Sequence, residues 1–132
     1  MCGTLKRFGT RIIPGYQVPV RTKEGTINMV WGFNNGKIYN ARTDKLDTTW
    51  RNIATNRCIL EVDSFNEKIA EFNSNSILYL GGIYNFKVNE FALLTIDADS
   101  VVSAYHHRMP LIVNDVHHFL HSYKFLLNKV YY

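Results

Sequence analysis

Val18-Pro19-Val20-Arg21-Thr22-Lys23-Glu24-Gly25-Thr26-Ile27-Asn28-Met29-Val30-Trp31-Gly32-Phe33 is the stretch whose reading decides the fold. Val18 to Val20 and Ile27 to Phe33 read as short strands, and the polar Thr22-Lys23-Glu24-Gly25 between them reads as a turn. Asn34-Asn35-Gly36 is a second strong turn signal, of hairpin type, and Lys37 to Ala41 follow as a strand. Farther along, Arg57 to Val62, Ser76 to Tyr84 and Glu90 to Ile96 continue the strand pattern, with Asn73-Ser74-Asn75 and Asn85 to Asn89 as connectors. Helix is expected around Asp47 to Thr55 and from Val113 to Lys129, where Val116, Phe119, Leu120, Tyr123, Phe125, Leu126 and Leu127 fall near helical spacing. Asn114 or Asp115 would cap the second helix. The expectation is an α+β domain dominated by strands: a mostly antiparallel, strongly curved sheet or barrel-like fold with few helices.

The chain has 132 residues, 46% of them hydrophobic and 14% aromatic, enough for one compact domain over its full length. No internal repeat, low-complexity tract or linker divides it. A net charge of +4 and a pI near 9.1 favour an anionic partner without naming one. No apolar stretch reaches spanning length, and Met1-Cys2-Gly3-Thr4-Leu5-Lys6-Arg7-Phe8-Gly9-Thr10 lacks the apolar core of a secretion signal. The expected setting is therefore the cytoplasm, either nucleoid-associated or in a host cell if the gene is carried by a phage, with no membrane partner.

Only Cys2 and Cys58 are present, which fits neither a disulfide framework nor a metal site, and no cofactor is expected. Cys58, inside Cys58-Ile59-Leu60, reads as a packed core residue. Cys2 is different, because methionine aminopeptidase removes Met1 when residue 2 is small. The α-amine then exposed has a pKa near 7.7 to 8.0, so a useful fraction is neutral and nucleophilic at neutral pH. Amine and thiol on one framework make an aldehyde trap: the amine condenses to an imine and the thiol closes on the same carbon to give a thiazolidine. Two other readings stand beside this one: an incidental residue of a frayed terminus, and an N-terminal-nucleophile amidohydrolase that begins Cys-Gly.

Five segments in order carry a resemblance: Met1-Cys2-Gly3; Pro14-Gly15 with Val18-Pro19-Val20; Trp31-Gly32 with Tyr39-Asn40-Ala41-Arg42; Arg57-Cys58 through Asp63, Phe65 and Glu67; and His106-His107-Arg108-Met109-Pro110. Together they resemble the SRAP domain family of abasic-site processing proteins. The resemblance implies that Cys2 forms a thiazolidine with the ring-opened aldehyde of an abasic deoxyribose. It implies that Asn40 holds Cys2 and the captured sugar, that Glu67 is acid/base at the amine and carbinolamine, and that His106 donates the proton for ring opening. His107, beside it, is the rival ring.

Arg42 and Arg108 would grip phosphates flanking the lesion. Trp31 would be an aromatic wedge on which a base stacks, or else a buried core tryptophan. Pro14 and Thr95 lie in segments that line the family's DNA groove. The implied partner is single-stranded DNA containing abasic sites, bound by a monomer. Abasic-site lyase activity and self-processing at Met1 go with the family. The alternatives are a non-catalytic single-stranded DNA-binding module and the amidohydrolase.

The chain departs from the family pattern in several places. The helical insertion after the start motif is absent, Thr4 stands where the family often has arginine, and the family's C-terminal strand region is not recognisable. Around the glutamate, Ser64-Phe65-Asn66-Glu67-Lys68 keeps the carboxylate and loses two aromatics.

Overall fold

The computed structural model describes residues 3–67 and 70–122. The deciding stretch forms the expected hairpin: β3 (Gln17–Thr22) runs antiparallel to β4 (Gly25–Trp31), from Gln17 opposite Val30 to Thr22 opposite Gly25. The Thr22 hydroxyl donates to the Gly25 carbonyl at 2.8 Å and closes the turn. Upstream, β1 (Leu5–Arg7) and β2 (Thr10–Ile12) make a smaller hairpin at the sheet edge. Downstream, the chain builds β5 (Asn40–Arg42), β6 (Arg57–Glu67), β7 (Ala70–Asn85), β8 (Glu90–Asp97) and β9 (Arg108–Pro110).

The strands run in the order β2-β1-β6-β3-β4-β8-β5, with β7 pairing both β6 and β8, and β9 pairing β8. Most pairs are antiparallel, but β4 and β5 both run parallel to β8. β3 meets β6 at a single register pair, Arg21 opposite Ile59. The sheet is thus strand-dominated, mixed and curved, and is not a closed barrel.

Three expectations change. Asn34-Asn35-Gly36 does turn the chain, as part of the helical turn α1 (Phe33–Gly36), with Asn34 and Asn35 left-handed at φ 56 and φ 57. It does not join a hairpin, because β4 and β5 follow one another along the same edge of β8 in the same direction. Phe33 and Ile38 bridge the loop shut, and the Glu90 carboxylate accepts from the N–H groups of Asn34 and Asn35 at 3.1 and 3.2 Å.

Asp47 to Thr55 is a run of turns after a short 3-10 helix, Thr43–Lys45. Most of its backbone bonds span three residues, as from Arg51 to Thr48 and from Ile53 to Trp50, while the Trp50 N–H reaches back five to Lys45, because Asp47, Thr48 and Thr49 favour local turn bonding over a helical ladder. Asn73 and Ser74 lie inside β7, with Asn73 opposite Ser64 beyond a register shift at Val62/Ser64. Both are exposed, so their polarity marks a solvated strand end and not a break. The C-terminal helix begins as expected: α2 (Val116–His121) is capped by Asp115, whose carboxylate accepts from the His118 N–H at 2.9 Å. The rest of that expectation, from residue 123 on, lies outside the described residues.

Leu5, Met29, Trp31, Ile59, Leu60, Leu80, Phe91, Leu93 and Phe119 are buried in one core. Arg57, only 2% exposed, ties α2 to it: Nη1 donates to the Phe119 carbonyl at 3.3 Å and the guanidinium lies 5.3 Å over the Phe119 ring. The packing between β6, β7 and β8 leaves no room at Gly82, where a Cβ would stand 2.7 Å from the Ala92 carbonyl oxygen and 3.1 Å from Cys58 Sγ. Gly82→Ala should therefore cost about 1–3 kcal/mol in equilibrium denaturation. An unchanged midpoint would mean the three strands are not packed so closely.

Candidate functional site

Cys2 lies outside the described residues; Gly3, its covalent neighbour, does not. β1 lies antiparallel on β6 with Leu5 opposite Phe65 and Lys6 opposite Ser64, and the Asn66 N–H donates to the Thr4 carbonyl at 3.2 Å. Continued one residue, this register sets Gly3 level with the backbone of Glu67. On its other side Gly3 meets residues distant in sequence: a Cβ there would stand 3.6 Å from the Tyr39 hydroxyl and 3.8 Å from Pro14 Cδ. Gly3 thus lies between the end of β6 and the segment leading into β5.

That segment is held from below. The Tyr39 carbonyl accepts two hydrogen bonds, from the Leu93 N–H and from Trp31 Nε1, each at 3.0 Å. Asn40 follows, with its Oδ1 buried and without a hydrogen-bond partner among the described residues. An unpaired buried amide oxygen costs on the order of 1–3 kcal/mol, so the start of β5 holds an acceptor in reserve.

Trp31 is not a wedge. It is fully buried at the inward end of β4, edge-on to Tyr39 with ring centroids 5.8 Å apart, and its indole N–H is committed to Tyr39. The core reading of this residue is correct, and no face is offered to a base. Pro14 does lie at the site, against Gly3, and the Gly15 N–H donates to the Trp31 carbonyl at 2.8 Å. The loop over this floor needs glycine at two places. A Cβ on Gly32 (φ 114) would fall 2.4 Å from Gly36 Cα, and one on Gly36 (φ 93) would fall 2.8 Å from the Gly15 nitrogen. Sequence reading missed Tyr39 as a neighbour of Gly3; it took Gly36 only as a turn residue and placed Gly32 inside a strand.

His106 arrives from a different direction. It follows a short 3-10 helix, Val102–Ala104, and its Nδ1 accepts from the Arg108 N–H at 3.0 Å, so the neutral ring carries its proton on Nε2. His107 is exposed and stacks on it at 4.5 Å. Tyr105, just before, sits edge-on to Phe72 at 5.6 Å, and Phe72 stacks on Phe65, its partner in the β6/β7 ladder. The His106 segment therefore leans on the same hairpin end that carries β1 and the Glu67 backbone. A cleft of about 270 Å³ lies there, lined by Phe65, Phe72, Asp99, Val102 and Met109 among others.

The two arginines part company. Arg108 is 7% exposed; Nη1 donates to Asp97 at 2.8 Å, and Nη2 to the hydroxyl of Thr95 at 3.1 Å and to the Thr95 carbonyl. It rivets β9 to β8, so the expected phosphate grip is corrected to a structural clamp. Thr95, 3% exposed, is corrected with it, from groove lining to hydrogen-bond partner of that clamp. Arg42 is exposed and forks onto Asp44 at 3.0 and 2.8 Å. This hydrogen-bonded pairing raises Arg42 and lowers Asp44 from their ordinary values. An exposed pair of this kind is weak, so a phosphate can compete with Asp44 for the fork.

Cys58 takes no part, since complete burial pushes its thiol well above the ordinary range and keeps it protonated. Iodoacetamide should leave Cys58 unmodified in the native protein and alkylate it in denaturant; native modification would contradict its burial. Arg108→Leu should lower stability by about 2–3 kcal/mol because the buried Thr95 carbonyl and hydroxyl lose a charged donor, whereas Arg42→Leu should leave the denaturation midpoint where it is. Equal effects would refute the division of roles.

Among the described residues, no helix is long and apolar enough to cross a membrane, and no group of three or more His, Cys, Asp or Glu is placed to hold a metal. No family model and no curated protein matches the chain. Solved structures do: a protein from Bacteroides thetaiotaomicron is 18% identical with a TM-score of 0.63, over 83% of this chain and 66% of that one. A phage-related protein from Bordetella bronchiseptica is 16% identical with a TM-score of 0.61, over 85% of this chain and 77% of that one. The chain spans just under two thirds of the first and about three quarters of the second. It shares the fold of both, and at these identities the likeness is one of fold.

Proposed function

We propose that this chain is a compact SRAP-type protein that captures abasic sites in single-stranded DNA covalently, through Cys2 after loss of Met1. The observation that supports the reading is the place of Gly3, level with the Glu67 backbone by the β1/β6 register and packed on the ring of Tyr39, the residue before Asn40, and on Pro14. The proposed reaction balances without a cofactor. The α-amine adds to C1′ of the ring-opened sugar, the carbinolamine loses one water to give the imine, and the thiol adds across the C=N bond as its proton passes to nitrogen.

Roles follow from the site. Asn40 Oδ1, an unpaired buried acceptor, would take a hydrogen bond from the amine or sugar and hold it. His106 is assigned the proton transfer at ring opening on the resemblance, with its ring oriented by the Arg108 N–H at Nδ1. Glu67 is assigned proton transfer at the carbinolamine on the resemblance and on its place at the end of β6. Arg42 is the candidate for a flanking phosphate, by exchange with Asp44. Lyase activity from the imine and removal of Met1 by the protein itself belong to the same reading, as do a monomer and a cytoplasmic site of action. The phage-related neighbour fits a reduced version of such a domain carried on a mobile element.

Met1-free protein incubated with abasic single-stranded DNA should give a cross-linked band that survives denaturation. Cys2→Ala should abolish it, and Asn40→Ala, Glu67→Gln and His106→Ala should each slow it by roughly 10²–10⁴-fold. Absence of the band from the Met1-free protein would overturn the proposal.

A further inference from the structure

The β1–β2 hairpin is used by none of the chemistry above, yet it carries three unusual features at one tip. Phe8 is 57% exposed, although an isolated aromatic of this size gains by burial. Its backbone is left-handed, with φ 49, followed by Gly9 at φ 81, a turn in which phenylalanine is disfavoured against asparagine or glycine. The Arg7 guanidinium already lies 4.5 Å from the ring centroid.

Around this ring the hairpin is cationic. Lys6 stands opposite Arg11 across the two strands, Arg7 stands opposite Thr10, and no acidic residue occurs between Leu5 and Ile12. Neighbouring carboxylates are mostly engaged: Glu71 with Lys6 at 3.1 Å, Glu61 with Arg21 at 3.1 Å, and Asp63 with the Gly9 N–H at 2.8 Å. The last of these pins the turn, so the ring is presented on a fixed support. Arg11 is exposed and makes no ion pair among the described residues.

We infer that this hairpin is a second contact for single-stranded DNA, in which Phe8 stacks a base on the ring face away from Arg7 while Arg11 meets the backbone. A pinned turn, a solvent-facing ring already stacked by an arginine and a cation across the ladder are the parts of a base-stacking platform. The arm takes up the stacking role that the buried Trp31 cannot fill. It stands five residues from Gly3 along an extended strand, about 17 Å at 3.3 Å per residue, so it engages a nucleotide a few positions from the captured sugar. This inference rests on the single-stranded DNA reading of the ligand and adds a subsite to it.

The test is fluorescence anisotropy of the full chain with an intact, lesion-free single-stranded oligonucleotide, which needs no covalent step. Phe8→Asn removes the ring and suits the left-handed turn, so it should melt at or above the wild-type temperature while binding roughly tenfold more weakly. Phe8→Tyr should bind within about twofold of wild type, and Arg11→Ser should flatten the log Kd against log salt slope by about 0.7. Wild-type affinity in Phe8→Asn would overturn the arm, as would a ring that matters only to self-association in sedimentation. If abasic DNA is captured while Phe8→Asn binds normally, only the arm falls. If binding depends on Phe8 but no cross-link forms, the capture chemistry falls and the arm stands.

Discussion

β8 is paired on both edges along its length, and the site depends on that constraint. On one edge β4 takes Glu90 and Phe91, and β5 takes Leu93 to Thr95. On the other, β7 takes Glu90 to Leu93 and β9 takes Thr95 to Asp97. Two strands that share an edge in the same direction cannot be joined by a hairpin, so the chain must leave and return. The Gly32 to Tyr39 detour is that excursion, and it delivers Asn40 at the start of β5. The same logic on the opposite edge makes β9 begin at Arg108, with His106 fixed just before it by the Arg108 N–H.

Much of the fold was legible because local signals agreed with it. The β3/β4 hairpin, the β6 to β8 strands, the Asn85 to Asn89 connector and the Asp115 cap all follow from β-branched runs, turn residues and a capping side chain. Parallel pairing was not legible. Asn34-Asn35-Gly36 has the composition of a hairpin turn, and only β8, more than fifty residues later in sequence, makes it a detour. The Asp47 to Thr55 segment misled in the opposite sense: Leu46, Trp50, Ile53 and Ala54 are spaced like a helical stripe, but they anchor a chain of turns into the core.

Several residues singled out for contact with DNA turn out to frame the site instead. Trp31 supports the Tyr39 carbonyl from the core, and Arg108 with Thr95 locks β9 to β8 and so positions the histidine before it. Residue type alone cannot separate these roles, since tryptophan and arginine serve equally as anchors and as ligands; burial does. Arg42, two residues beyond Asn40, keeps an exposed guanidinium, and the cationic hairpin before Pro14 lies where the family pattern has an insertion. In the proposed reading, stacking and phosphate contacts divide between Arg42 and an arm that motif comparison could not supply.

The central claim is that amine and thiol of Cys2 act together on one sugar carbon. Tandem mass spectrometry of the protein after reaction with abasic DNA and nuclease digestion tests it most directly. The account predicts a sugar remnant added with loss of one water, located on an N-terminal Cys2 whose thiol no longer reacts with iodoacetamide. A remnant on a lysine, or on Cys2 with its thiol still free to alkylate, would contradict it.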